Sequence, residues 1–268
     1  MVKPTKGPEE LLADLAVAIE RGEFRLEYQP VVRLGGGQVA GAEALIRWRH
    51  PRRGTIPPND FLPLAEESGL IDGIGEFVLD QAARAAATWP RTNDRPGFVS
   101  VNVAPVQLRK PGVAARMLRT IANAGLEPRL LTVELTSGVT GEGHEIETAL
   151  EELREAGVRI ALDDFGMATS LADLKRLPVD EVKIAREFVG AVIGPAEDSA
   201  FALSLINIAD VRRVDVVAKR RVARAGLAPR GAGLPLRPGL LLLEAARCVR
   251  CTRGAAPGNA ARLRLLRG

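Results

Sequence analysis

Apolar residues fall at helical spacing over residues 9–21, where Leu11, Leu12, Leu15, Ala16 and Ile19 form one stripe that Gly22 closes. The period then changes to two. Phe24 to Leu34 and Val39 to Trp48 read as strands, and Gly35-Gly36-Gly37 between them predicts a hairpin turn and an antiparallel opening pair. That glycine run lacks the Lys-Ser/Thr and the helix that a phosphate-binding loop needs. Past Pro57-Pro58, helical spacing returns at 59–68 and 74–89. Strands at 97–103, 130–135, 158–162 and 180–184 then alternate with helices at 111–124, 144–156, 170–177 and 186–208. Such alternation predicts parallel βαβ units, in a barrel or a doubly wound sheet. A further strand is expected at Asp215 to Ala218, and beyond it the periodicity collapses, leaving regular closure of a barrel in doubt.

Acidic and amide residues recur where these strands end. They are Glu43 in Glu43-Ala44-Leu45-Ile46-Arg47-Trp48, Asn102 in the 99–103 segment, Glu134 in the 131–135 segment, and Asp163-Asp164 after 158–162. The reactive face of a parallel barrel collects side chains from many strand ends, so this pattern favours the barrel over the doubly wound sheet. Hard oxygen donors at Glu43, Asn102, Glu134, Asp163 and Asp164 suit Mg²⁺ or Mn²⁺. Two such ions, bridged by a carboxylate and roughly 3.5–4 Å apart, can activate a water and neutralise a phosphodiester. Lys183 is placed to orient that water, and Arg47, on the same strand face as Glu43, suits a phosphate. Each residue alone has a plainer use: Asn102 as a cap before Pro105, Glu43 and Glu134 as salt-bridge partners, Asp163-Asp164 as a turn, Lys183 as a solvated side chain. The joint pattern carries the site reading.

Charge divides the chain. The net charge is +4, yet residues 211–268 hold 14 basic residues against Asp215 and Glu244, which leaves the earlier part acidic by eight charges. The basic tail contains no aromatic residue for base stacking, which argues against nucleic-acid binding. Cys248 and Cys251 form half of a zinc motif with neither histidine nearby, so they are read as incidental cysteines in a reducing compartment. No apolar run reaches the length of a spanning helix, and the first residues lack a secretion signal's apolar core. A cytoplasmic location without a membrane segment is expected.

Together these stretches resemble the EAL domain family, the cyclic di-GMP phosphodiesterases of bacterial signalling. The resemblance is carried by Glu27-Tyr-Gln-Pro30, Gly41 to Trp48, Ile56 to Phe61, Leu64 to Ile71, Ser100 to Val103, Val133 to Thr136, Leu162 to Gly166 and Leu177 to Ile184. It spans roughly residues 9–218 and implies an α/β fold, a modified TIM (β/α)8-like barrel with an antiparallel opening strand and incomplete last units. It also implies hydrolysis of cyclic di-GMP to the linear dinucleotide with two Mg²⁺ or Mn²⁺ ions. The implied metal ligands are Glu43, Asn102, Glu134, Asp163 and Asp164, with Lys183 helping to position the water and Gln29 and Arg47 touching the substrate. A homodimer is compatible with this reading, and the sequence leaves self-association open.

The chain departs from the family's pattern at several points. Ser137 stands where the family usually carries a second glutamate, the loop 163–171 looks one residue short, and Ala185 replaces an aspartate. Val216-Val217-Ala218 is followed by Lys219-Arg220-Arg221 where the family reads Ala-Glu-Gly-Val-Glu. Codons that encode Gly233 to Glu244 permit, one nucleotide later, the family's Gln-Gly-Tyr ending. Residues 219–268 are therefore read as an out-of-frame tail after a terminal segment 1–8 and an incomplete domain 9–218. Weak or absent turnover is expected of the chain as written. The alternative is a degenerate domain that binds cyclic di-GMP or a protein.

Overall fold

A computed structural model describes residues 8–33, 38–89, 97–135, 144–167, 171–185, 187–188, 196–220 and 240–244. Helix α1 (Pro8–Ala18) leads into strands β1 (Phe24–Arg33) and β2 (Val39–His50), which pair antiparallel from Phe24 opposite Trp48 to Val32 opposite Val39. The opening hairpin is thus as expected, while its glycine turn lies outside the described residues. Strand β2 overshoots the barrel and folds back through β3 (Gly54–Ile56), a short strand that the sequence pattern did not reveal.

Helices α2 (Pro58–Ser68) and α3 (Ile71–Ala87) follow, and then the parallel units begin. They comprise β4 (Phe98–Val103), a one-turn α4 (Pro105–Leu108), α5 (Val113–Asn123), β5 (Leu131–Leu135), α6 (His144–Glu155), β6 (Arg159–Phe165), α7 (Leu171–Arg176) and β7 (Glu181–Ile184). The chain continues through α8 (Ala196–Val211), β8 (Asp215–Arg220) and β9 (Leu240–Glu244). Of the helix expected over 186–208, Glu187 and Phe188 are helical and α8 carries the part from Ala196, while residues 189–195 lie outside the described residues.

Strands β2, β4, β5, β6, β7, β8 and β9 pair in parallel in that order, and β9 also pairs antiparallel with β1. The ring is therefore closed. This revises two expectations, since β8 runs through Arg220 rather than ending at 218, and the tail supplies a closing strand. Leu240 to Leu243 carries no period of its own. What makes it a strand is the pair of open edges on β1 and β8, whose backbone donors and acceptors need partners. Residues 221–239, which link β8 to β9, lie outside the described residues.

The main core lies between the sheet and its helices. Phe24, Trp48 and Phe61 pack with ring centroids 5.6–5.9 Å apart and anchor the hairpin to α2. Each such buried aromatic contributes about 1.5–3 kcal/mol. The Asp14 carboxylate accepts from His50 Nε2 at 2.9 Å and from Arg52 Nη2 at 2.8 Å, which ties α1 to the end of β2. Inside the barrel, Val31, Ala40 and Val217 form a small apolar plug with Phe98 against it. Gly41 is required beside it, because a Cβ there would come within 2.3 Å of the Phe98 carbonyl oxygen.

Candidate functional site

Strand alternation turns every second residue of each parallel strand inward. Above Ser100, Thr132, Glu181 and Val217, the next inward residues are Asn102, Glu134, Lys183 and Lys219, and Glu43 joins them from β2. The contacts confirm that direction. Lys183 Nζ on β7 donates to Glu43 Oε2 on β2 at 2.9 Å and also to Glu134 Oε1 on β5. These strands are not neighbours in the sheet, so their side chains meet only across the barrel interior. Asn102 Nδ2 donates to Glu43 Oε1 at 3.1 Å and completes the group.

All three charged groups are at most 5% exposed. Burial, reinforced by the neighbouring Glu43 charge, pushes the Glu134 carboxyl up to about 8. Burial also opposes the charge on Glu43, but the Lys183 ammonium outweighs it and holds that carboxyl below its ordinary range. For Lys183 itself, desolvation is overcome by Glu134, Glu43 and Asp163, which hold its proton above the usual lysine range. Two glutamates thus share one ammonium, and Glu134 keeps a proton that an exposed glutamate would lose. Glu134 Oε2, Ser100 Oγ and Thr132 Oγ1 are buried without a hydrogen-bond partner among the described residues.

The aspartate pair sits at the end of β6. Asp164 has a left-handed backbone, φ 46°, and donates its N–H to Asp163 Oδ1 at 2.9 Å. This turn aims the Asp163 carboxyl inward, 7% exposed, and leaves the Asp164 side chain 54% exposed. Lys219, at the end of β8, reaches over β7 and places its ammonium 2.5 Å from Asp163 Oδ1 and 2.9 Å from Asp164 Oδ1. Burial raises the Asp163 carboxyl despite the two lysines beside it. Desolvation works against the Lys219 charge, yet the Asp163 carboxylate and its hydrogen bond raise its proton affinity overall.

The structure therefore gathers Glu43, Asn102, Glu134, Asp163 and Lys183 in one inward cluster, with Asp164 at its rim. Gln29 lies directly opposite Glu43 in the β1–β2 ladder, half-buried at the same mouth. Arg47 lies further along β2, where its Nε pairs with Glu27 Oε2 at 2.7 Å and Nη1 donates to the Ile46 carbonyl. Ser137 lies outside the described residues. Lys219 was legible in the sequence only as a departure from a motif. Counting by twos from Asp215, however, puts it on the inner face with Val217.

Oxygen donors suited to a hard cation are present, but those at the centre are already engaged by ammonium groups. Among the described residues, no three His, Cys, Asp or Glu side chains are arranged to hold a metal ion. The aspartate pair, with Lys219 on both carboxylates, does not fit a divalent ion as it stands. A two-ion arrangement would have to displace the Lys183 and Lys219 ammonium groups from these oxygens.

The family model for the EAL domain matches residues 12–220. An uncharacterized protein of Mycobacterium tuberculosis is 38% identical over 216 residues, 78% of this chain and 70% of that protein. The Pseudomonas aeruginosa bifunctional diguanylate cyclase/cyclic di-GMP phosphodiesterase MucR is 37% identical over 212 residues, of which this chain spans 31% of the length. The solved MucR phosphodiesterase in complex with c-di-GMP superposes with a TM-score of 0.72 at 36% identity, covering 83% of this chain and 89% of that one. With the barrel and its strand-end carboxylates in place, these matches establish that the chain belongs to the EAL domain family.

Proposed function

We propose that the chain is a cyclic di-GMP phosphodiesterase domain by descent whose turnover, as written, is weak or absent. The observation that carries this reading is Lys219 on Asp163 and Asp164, which engages both aspartates of the family's metal-binding motif. In this reading Glu43, Asn102, Glu134, Asp163 and Asp164 are the inherited ligand set for Mg²⁺ or Mn²⁺, and Gln29 and Arg47 meet the dinucleotide at the mouth. Such ions would supply an activated water and charge neutralisation. Lys183 holds Glu43 and Glu134 in place from across the barrel. By the resemblance, the family's late catalytic glutamate is absent where Lys219-Arg220-Arg221 follows Ala218, and losing one such carboxylate commonly costs orders of magnitude in rate.

The test is hydrolysis of cyclic di-GMP to the linear dinucleotide with Mg²⁺ or Mn²⁺, comparing this chain with one whose shifted frame is restored after residue 218. The reading expects activity in the restored chain alone. Turnover by the chain as written at the restored chain's rate would overturn it.

A second reading is a non-hydrolysing cyclic di-GMP binding module. It is favoured by the inner cluster, whose carboxylates are already engaged by Lys183 and Lys219 while Gln29 stands opposite Glu43. Stoichiometric binding of the dinucleotide, with both chains silent in hydrolysis, selects it. No described helix is long and apolar enough to cross a membrane.

A further inference from the structure

We propose that Lys219 is an intramolecular counter-cation that takes the place of a divalent ion at the Asp163-Asp164 pair, so that removing it turns the pair into a cation site. The inference rests on the functional reading only in the choice of a divalent cation as the probe.

Three features of the geometry support it. First, the ammonium contacts one oxygen of each carboxylate, Oδ1 of Asp163 and Oδ1 of Asp164. A divalent ion coordinating those same atoms would sit about 2.0–2.6 Å from them and would overlap the ammonium. Second, Asp163 Oδ1 also accepts the Asp164 N–H, so that oxygen is engaged twice without an ion. Third, Lys219 is held there by the fold. It comes from β8, two strands away from β6, and β8 is fixed between β7 and β9 by ladders on both sides.

Lys219 is 20% exposed at its side chain, so it can swing toward solvent. That movement strips the counter-charge from Asp163, which is nearly buried. A divalent ion must therefore compete with a tethered cation. The consequence is weakened metal binding at this pair rather than none, and the weakening disappears with the ammonium.

The experiment is calorimetric titration of Mn²⁺, without dinucleotide, into the full chain lacking any histidine tag. Parent, Lys219→Ala, Lys219→Arg and the double variant Lys219→Ala/Asp163→Asn are compared. Because the ammonium and a dication contend for the same oxygens at contact distance, Lys219→Ala is expected to bind Mn²⁺ about 100-fold more tightly than the parent. Lys219→Arg keeps the charge and is expected to stay like the parent, and the double variant is expected to lose the gain. Equal affinities for parent and Lys219→Ala overturn the proposal, as does a gain that survives Asp163→Asn. If Lys219→Ala lacks a folded circular-dichroism signal in chelator, Mn²⁺ is expected to restore it, and failure to do so also overturns the proposal. Since no dinucleotide is present, failure here is distinguishable from failure of the phosphodiesterase reading.

Discussion

Replacing Glu134 with glutamine removes one titrating proton from the centre of the barrel while preserving shape and the acceptor facing Lys183. In the folded chain this carboxyl titrates near 8, against an ordinary value of 4.5. The folded state therefore holds a proton that the unfolded chain releases between those values. A folded value raised above the unfolded one gives stability that is complete below pH 4.5 and is lost as pH rises toward 8. Each pH unit inside that window is worth about 1.4 kcal/mol, so the full span is roughly 5 kcal/mol. Between pH 5.5 and 7.5 the parent should lose roughly 3 kcal/mol relative to Glu134→Gln. With a urea slope of about 3 kcal/mol/M, the difference between the two midpoints moves by on the order of 1 M. The assay is urea unfolding of both proteins at the two pH values in a chelated buffer. Parallel pH profiles for parent and variant would show that Glu134 is already ionised in the folded chain and would refute the reasoning.

Three other perturbations act on different parts of the same framework. Lys183→Met leaves Glu43 and Glu134 buried without a counter-charge and should cost about 3–5 kcal/mol near neutral pH. The loss should grow as pH rises, because both carboxyls then need protons to stay buried, and urea unfolding at two pH values reads it. Gly41→Ala puts a Cβ 2.3 Å from the Phe98 carbonyl oxygen and 2.6 Å from its ring. It should push β2 away from β4 at a cost of about 1–3 kcal/mol, seen as a lower melting temperature. Truncation after Arg220 removes β9 and leaves the facing edges of β8 and β1 unpaired. Such edges invite pairing with other chains, so the truncated protein should elute as larger species in size-exclusion chromatography, whereas an unchanged elution volume would deny β9 its closing role.

The strand ends were legible because strands impose a period of two and short parallel strands end abruptly. Glu43, Asn102, Glu134 and Lys183 could thus be placed on one inner wall by counting, and the structure brings them together. Helix boundaries followed from apolar spacing and from proline and glycine signals. The short β3 escaped notice because its three residues are too few to display a period, and pairing with Trp48 to His50 defines it.

Sequence by itself determined the order of the units, the antiparallel opening pair and the set of inward oxygen donors. All of these depend on local periodicity and on residue chemistry carried along the chain. Tertiary structure alone decided that Leu240 to Glu244 closes the ring, because only the open edges of β1 and β8 make that leucine run a strand. It alone decided which charges meet: Lys183 between Glu43 and Glu134, and Lys219 on Asp163 and Asp164. Spacing along a chain carries no distance across a barrel, and it is that distance which sets how far each charge is neutralised.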